Sequence, residues 1–340
     1  MVLAQAQERL QSWRGQLLPP QVLIDLDDTA VRIAALAFGR TGRMRQTLSV
    51  ALPDGACVGG MPRQVTAIGD FIGDLLVEHG LVQAEVQACL PPAACRWRLL
   101  EWPQATAPDD PLAVLREQQP DLRLDWDLAA MYADVVPLAG APGQWLLTAA
   151  PKDLVRAWQQ VFDLAGAQLM RLEPAQSCER RAMGLLWRED GHQGTLDGTV
   201  DLVLALEARG SWLWLAHNGV PEADWWLPHL PFPVTAAALT DLADALEQRR
   251  RFWQQHHADV RRWRCWLHGP LSQQEGLLEG LRQALQTGAD TSDTGEPMAV
   301  EVLDVLERGW LSLPRGAETR GLAGPLLLRL CGLLAAARQP

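Results

Sequence analysis

Val22-Leu23-Ile24-Asp25-Leu26-Asp27-Asp28-Thr29-Ala30-Val31-Arg32 is the stretch that decides how this chain is read. Three apolar residues run into acids and a threonine, and an apolar run then resumes. The apolar flanks have the composition of buried strands, and the acidic centre that of a tight turn between them. A carboxylate at a strand end, followed by hydroxyl and backbone donors, suits magnesium and phosphate. The carboxylate holds the hard cation and the turn amides face the phosphate oxygens. An ordinary acid-rich surface turn is the bland alternative, because turns favour Asp in any case. Downstream, Ala30 to Phe38 is strand-like, Gly39-Arg40-Thr41-Gly42 turn-like, and Met44 to Val50 strand-like again. This pattern predicts an antiparallel meander that begins at the acidic turn.

Composition bounds the rest. A chain of 340 residues suits two domains or one large bilobal unit, and its 48% apolar share supports a sizeable core. The net charge is −11, with 29 arginines and a single lysine, Lys152. An acidic chain without a basic tract argues against nucleic-acid binding. The six cysteines (57, 89, 95, 178, 265 and 331) form no CxxC pair and no zinc-type spacing, which predicts buried thiols in a reducing compartment. No signal peptide is legible, and the longest apolar run, Leu322 to Ala337, contains Arg329 and is too short to span a bilayer comfortably. The expectation is a soluble chain that reaches a membrane only through a partner. Fifteen tryptophans stand against one tyrosine. Trp212, Trp214, Trp263 and Trp266 lie in strand-like runs and read as core filling, whereas Trp225-Trp226 is the best exposed contact.

Outward from the hairpin, Met1 to Leu17 has the pattern of an amphipathic helix ended by Pro19-Pro20. Helices are expected over Arg63 to His79, from Pro111 to about Gln118, and over Asp153 to Leu164, Pro174 to Trp187, Thr235 to His257, Ser272 to Gln286 and Leu322 to Arg338. Strands are expected over Val82 to Leu90, Met131 to Leu138, Gln144 to Ala150 and Leu169 to Glu173. Glu189 to Gly198 is a polar link, and Thr287 to Glu296 has the composition of a disordered segment. Thr199 to Leu206 and Ser211 to Ala216 repeat the strand–turn–strand pattern around Glu207-Ala208-Arg209-Gly210, with His217-Asn218-Gly219 as the next turn. His256 and His257 are adjacent, so on a helix they point apart and do not share one metal ion.

Two family resemblances start at the acidic turn. Asp25-Leu26-Asp27-Asp28-Thr29 fits the DxDxT pattern of haloacid-dehalogenase-type phosphatases, which implies Asp25 as nucleophile and Asp27 as general acid. Gly69-Asp70-Phe71-Ile72-Gly73-Asp74 fits that family's GDxxxD metal loop, but it sits within a helical period with Val65, Ile68, Ile72 and Leu76. The turn also resembles the first phosphate hairpin of actin-like ATPases, where Asp25 would orient magnesium. That fold continues into a meander, whereas the dehalogenase fold goes from its nucleophile toward a helix.

The series VQAEVQACLPPAACRWRLLEWP (82–103), MYADVVPL (131–138) and WLLTAAPKDLVRAWQQVFDLAGAQLMRLEPAQSCERRAM (145–183) resembles the PilM family of type IV pilus assembly. Ala150-Pro151-Lys152, Ala165-Gly166 and Ala182 stand at that family's strand-to-helix, break and helix positions. Cytoplasmic domains of type II secretion proteins are similar. The resemblance implies an α/β, actin-like (ribonuclease H-like), duplicated bilobal fold. One half would span 1–185 with a small inserted subdomain at about 53–138, and the other 199–340. It further implies a cytoplasmic component of a pilus, secretion or competence machine at the inner face of the inner membrane. There it would bind the tail of a PilN-like partner in a groove beside the inserted subdomain.

The implied cofactors are ATP and Mg2+, with Asp25, Asp27, Asp28, Thr29, Gly210 and Gly269 as contacts and Asp25 as the metal's acid. The pattern departs from the family at each of these places. Asp27 and Asp28 replace a glycine and a serine, Ala205 and Glu207 replace the Asp and Gly of an Asp-Ile-Gly step, and Leu267-His268-Gly269-Pro270 replaces a Leu-Ser-Gly-Gly loop. Carboxylates repel a triphosphate, and Pro270 lacks an amide donor. A degenerate, non-hydrolysing scaffold is the expectation. An active actin-like ATPase and a magnesium-dependent phosphatase are the alternatives.

Overall fold

The computed structural model describes residues 18–37, 43–101, 110–122, 124–138, 141–189, 198–257, 259–288, 297–313 and 322–336. The helix expected over Met1 to Leu17, the Gly39 to Gly42 turn and the polar stretches 190–197 and 289–296 lie outside them.

The acidic turn joins β1 (Gln21–Leu26) to β2 (Ala30–Leu36), and β3 (Met44–Ala51) completes the meander. The chain then forms the short pair β4 (Cys57–Val58) and β5 (Met61–Pro62), helix α1 (Val65–Glu78) and β6 (Glu85–Leu90), which lies parallel to β1. After β7 (Arg96–Glu101), α2 (Pro111–Leu122), β8 (Met131–Pro137) and β9 (Gln144–Pro151), the chain returns through α3 (Lys152–Leu164) to β10 (Gln168–Pro174), which lies parallel to β6. The first sheet therefore runs β10-β6-β1-β2-β3.

Helix α4 (Ala175–Glu189) leads to the second half, where the plan repeats. It comprises the meander β11 (Thr199–Glu207), β12 (Gly210–His217) and β13 (Val220–Leu227), then α5 (Ala236–His256), β14 (Arg262–His268), α6 (Leu277–Gly288), β15 (Ala299–Val302) and α7 (Leu328–Ala336). The second sheet runs β15-β14-β11-β12-β13, with β14 parallel to β11 and β15 parallel to β14. Each half thus opens with an antiparallel meander, and parallel strands continue the sheet on the other side of the meander's first strand. This is the duplicated actin-like arrangement. A dehalogenase nucleophile would lead to a helix, but here the turn leads to β2, antiparallel with Asp25 opposite Arg32. Gly69 to Asp74 lies within α1, with Asp70 and Asp74 exposed.

Strand periodicity explains the layers. Val22, Ile24 and Leu26 point to a core shared with Ile68, Ile72, Trp158 and Phe162 of α1 and α3. Leu23 points the other way, into a core built with α4, α7, Trp212, Trp214 and Trp266. On β11, Val200, Leu202, Leu204 and Leu206 face α5 and α6, while Val203 and Ala205 face the shared layer. Helices α4 and α7 are therefore sandwiched between the two sheets. Odd positions at the strand ends, Asp25 and Glu207, face that layer by the same parity. So does the fully buried Asp201, which accepts from Arg264 Nε (2.7 Å), Trp266 Nε1 (2.8 Å) and Trp187 Nε1 (2.9 Å).

A third, antiparallel sheet, β7-β9-β8, closes with α2 over Leu100, Leu115, Leu128 and Leu147. It spans 96–151, whereas β6 and α1 belong to the first sheet and its outer helix layer. Strands β13 and β15 are the edges of the second sheet. The six cysteines are buried and form no disulfide.

Helix α7 approaches α4 so closely that a Cβ on Gly332 would lie 1.9 Å from the Cys178 carbonyl oxygen. Alanine gains about 1 kcal/mol of helix propensity. The clash is with backbone and outweighs it. Gly332→Ala should therefore lower unfolding free energy by about 1–3 kcal/mol in urea titrations.

Candidate functional site

At the ends of β1 and β11 the two meander turns face one another across the α4–α7 layer. Arg32 of β2 lies opposite Asp25 in register. Its Nη1 donates to Asp25 Oδ2 (2.9 Å) and its Nη2 to Asp27 Oδ2 (2.6 Å), with Glu207 Oε2 at 3.6 Å. Arg329 enters from α7. Its Nε donates to Glu179 Oε1 (2.7 Å), its Nη2 lies 2.9 Å from Glu207 Oε1, and its Nη1 lies 3.6 Å from Asp25 Oδ1. Glu179 of α4 also accepts from Trp214 Nε1 (2.9 Å), and His268 Nε2 lies 3.5 Å from its Oε1. Arg32, Arg329, Asp25 and Glu179 are all at most 3% exposed.

Four carboxylates thus surround two guanidiniums in a nearly dry space. Buried charges survive only when paired, so each group depends on the others. Burial pushes the Asp25 carboxyl up, and Arg329 and Arg32 do not fully offset it. Burial also raises Asp27, but Arg32 and the donors of Thr29 and Ala30 outweigh it and hold the group below its ordinary value. Burial opposes ionisation of Glu179 as well, yet His268 and Arg329 pull it down to about 2. Burial disfavours charge on both arginines. Their carboxylate neighbours win, led by Asp27 for Arg32 and by Glu207 for Arg329, and both stay firmly protonated.

The sequence candidates gather around this cluster. Asp27 Oδ1 accepts from Thr29 Oγ1 (2.6 Å) and the Ala30 amide (2.9 Å), so it closes its own turn. Asp28 accepts from the Gly59 and Gly60 amides, both at 2.7 Å, and ties the turn to the β4–β5 hairpin. Gly269, at φ +90°, brings its loop against β11, where a Cβ would lie 2.8 Å from the Leu206 carbonyl oxygen. Asp25, Arg32, Glu207, His268, Gly269 and Arg329 close on a space that has no room for even one water. Gly210 lines the opening that remains, a pocket of about 90 Å3 bordered by Asp28, Thr29, Pro92, Arg209 and the half-exposed Trp226. Small-molecule sites are typically about 300–1,000 Å3.

Arg32, Glu179 and Arg329 were not among the sequence candidates. Arg329 had one signal, a lone charge in an apolar run. Glu179 had none, since its partners lie 35 and 150 residues away.

Among solved structures, the PilM–PilN type IV pilus biogenesis complex superposes with a TM-score of 0.70. It covers 94% of this chain and 99% of that one at 18% identity. The chain has a PilM-like, actin-like fold. The ethanolamine utilization protein EutJ from Carboxydothermus hydrogenoformans superposes at 0.50, covering 94% and 90% at 12% identity. The cytoplasmic domain of EpsL, an inner membrane component of the type II secretion system of Vibrio cholerae, superposes at only 0.43, with 80% and 96% covered at 12% identity. No family model matches the chain, and no curated protein matches it. At these identities the likeness establishes the fold alone.

The PilM-like fold implies ATP and Mg2+, but the residues at the place concerned do not fit them. Where a cation would meet Asp25, two guanidiniums already sit. The Asp27 and Asp28 oxygens that could face a phosphate already accept from backbone amides. Glu207 adds a further negative charge toward the phosphate position.

Two consequences are measurable. Arg329→Met leaves Glu179, Asp25 and Glu207 short of a partner and should cost about 3–5 kcal/mol of stability. Asp25→Asn leaves both arginines still paired, and the urea midpoint at pH 7 should stay unchanged or rise. Glu179 is depressed from its ordinary 4.5 to about 2. Its contribution is therefore complete above pH 4.5 and drains away as pH falls toward 2. Glu179→Gln should flatten that part of the stability–pH curve, which in the native chain is on the order of 3 kcal/mol deep.

Proposed function

We propose that this chain is a cytoplasmic scaffold of type IV pilus assembly, or of a related secretion or competence machine, built on a degenerate actin-like ATPase. The observation that carries the reading is the cleft itself: Arg32 and Arg329 occupy, as fixed parts of the fold, the position where a metal and phosphates would have to enter. The PilM-like fold supports the assembly context. In this reading the halves are 1–185 and 199–340, and they share the α4–α7 layer.

The partner is the cytoplasmic tail of a PilN-like inner-membrane protein. In the β7-β9-β8 sheet both β7 and β8 are edges among the described residues, which supports capture of an extended peptide by strand addition and side-chain pockets. Membrane attachment in this reading comes from the partner. Among the described residues no helix is long and apolar enough to cross a membrane.

Two measurements test the halves of this proposal separately. Calorimetry and phosphate-release assays with ATP and Mg2+ should show no saturable binding and no turnover, whereas hydrolysis abolished by Asp25→Ala would overturn the degenerate cleft. Affinity capture from detergent-solubilised cells of the chain's own source should recover a small single-pass inner-membrane protein together with pilus components. Recovery of no envelope protein would overturn the scaffold assignment.

A further inference from the structure

Far from the cleft, two side chains beside the β12–β13 turn meet a third from the distant end of α5 at the outer end of the second sheet. His217 ends β12, Glu222 follows on β13 after the Asn218-Gly219 turn, and His257 caps the C-terminus of α5. The β11–β12 turn at the cleft lies at the opposite end of β12. At about 3.3 Å per residue, the two places are roughly 23 Å apart. Glu222 Oε1 lies 3.5 Å from His217 Nδ1, and its Oε2 lies 3.7 Å from His257 Nε2. One ligand atom from each of the three residues falls within 4.8 Å of the others.

We propose that His217, Glu222 and His257 bind a divalent transition-metal ion, with Zn2+ the best fit. A tetrahedral ion with bonds of about 2.0–2.1 Å separates its ligand atoms by roughly 3.3 Å. The 3.5 and 3.7 Å contacts, made to the two different oxygens of Glu222, already approach that value, and one atom from each residue, within 4.8 Å of the others, must close in by at most about 1.5 Å, a movement within reach of side-chain rotation. Two imidazoles and a carboxylate are the donor set of borderline metals rather than of magnesium or calcium.

The surroundings hold the ligands in place. His217 Nε2, the nitrogen turned away from Glu222, lies 3.1 Å from Asp259 Oδ2 and 3.2 Å from Asn218 Nδ2. A carboxylate on the far nitrogen of a histidine is the usual outer partner of a metal-binding imidazole. The Trp253 ring stacks on His257 with centroids 5.3 Å apart and planes 9° from parallel. His217 and His257 meet edge to face at 4.9 Å. His256 is not part of the site, because its Nδ1 sits 2.7 Å from the Phe252 carbonyl oxygen. With Asp259 engaged on the far nitrogen of His217, the fourth position is left to water. Such an ion clips the end of α5 to the β12–β13 turn.

Chelator-treated, untagged full-length chain titrated with Zn2+ in a calorimeter should bind one equivalent. Substitution by Co2+ should give the visible absorption of a tetrahedral ion. The thermal midpoint should rise with free Zn2+. His257→Ala and Glu222→Gln are chosen because both sites are partly exposed and the metal-free fold tolerates them. Each should weaken binding tenfold or more. Asp259→Asn should weaken it about 10–100-fold, and His256→Ala should leave it unchanged. Binding well below one equivalent, or binding unaltered in the His257→Ala/Glu222→Gln double variant, would overturn the proposal.

Discussion

Neutralising two arginines that cannot reach water is the constraint on which this structure turns. Arg32 and Arg329 are each about 2–3% exposed, and each touches carboxylates from more than one element. Stripping one such charge of its partners costs several kcal/mol, a large share of a domain's total stability. Each arginine therefore depends on keeping carboxylate partners around it. The cluster joins β1 and β2 of the first half, β11 of the second, and the α4 and α7 helices between them. Bilobal folds of this kind need something at the waist that both halves hold, and here the chain supplies it from its own side chains.

The layer that carries the cluster is otherwise apolar. Helices α4 and α7 pack at glycine distance, and the inner faces of both sheets add tryptophans, with Trp214 reaching down to Glu179. Low-dielectric walls strengthen each ion pair and also raise the cost of any partial opening. A cleft built in this way is suited to holding two lobes in one relation. It is poorly suited to exchanging a metal and a charged ligand with solvent on each cycle.

The far end of the second sheet shows a different logic. There Glu222 and His257 are only partly buried beside the buried His217, and the Trp253 ring stacks on the His257 imidazole without sealing it. The contrast between a closed ionic cluster and an open histidine–carboxylate cluster separates what holds the lobes together from what remains able to meet a ligand.

By itself the sequence determined the local pattern. The apolar flanks of Asp25 dictated a hairpin, the repeat around Glu207 dictated a second one, and strand parity aimed both acids inward once each strand's outer face was fixed by its apolar partners. Period-two alternation and turn chemistry act over a few residues, so a single chain reveals them. Strand β13 escaped because its buried and exposed residues do not alternate, and β15 because it is only four residues long. Only the tertiary structure decided what the acids meet. Arg329 reaches Glu179 across 150 residues, and His217 reaches His257 across a strand, a turn and a whole helix. Charge pairing depends on distance in space and on exclusion of water. Neither is written in residue spacing until the two sheets and the helices between them have packed.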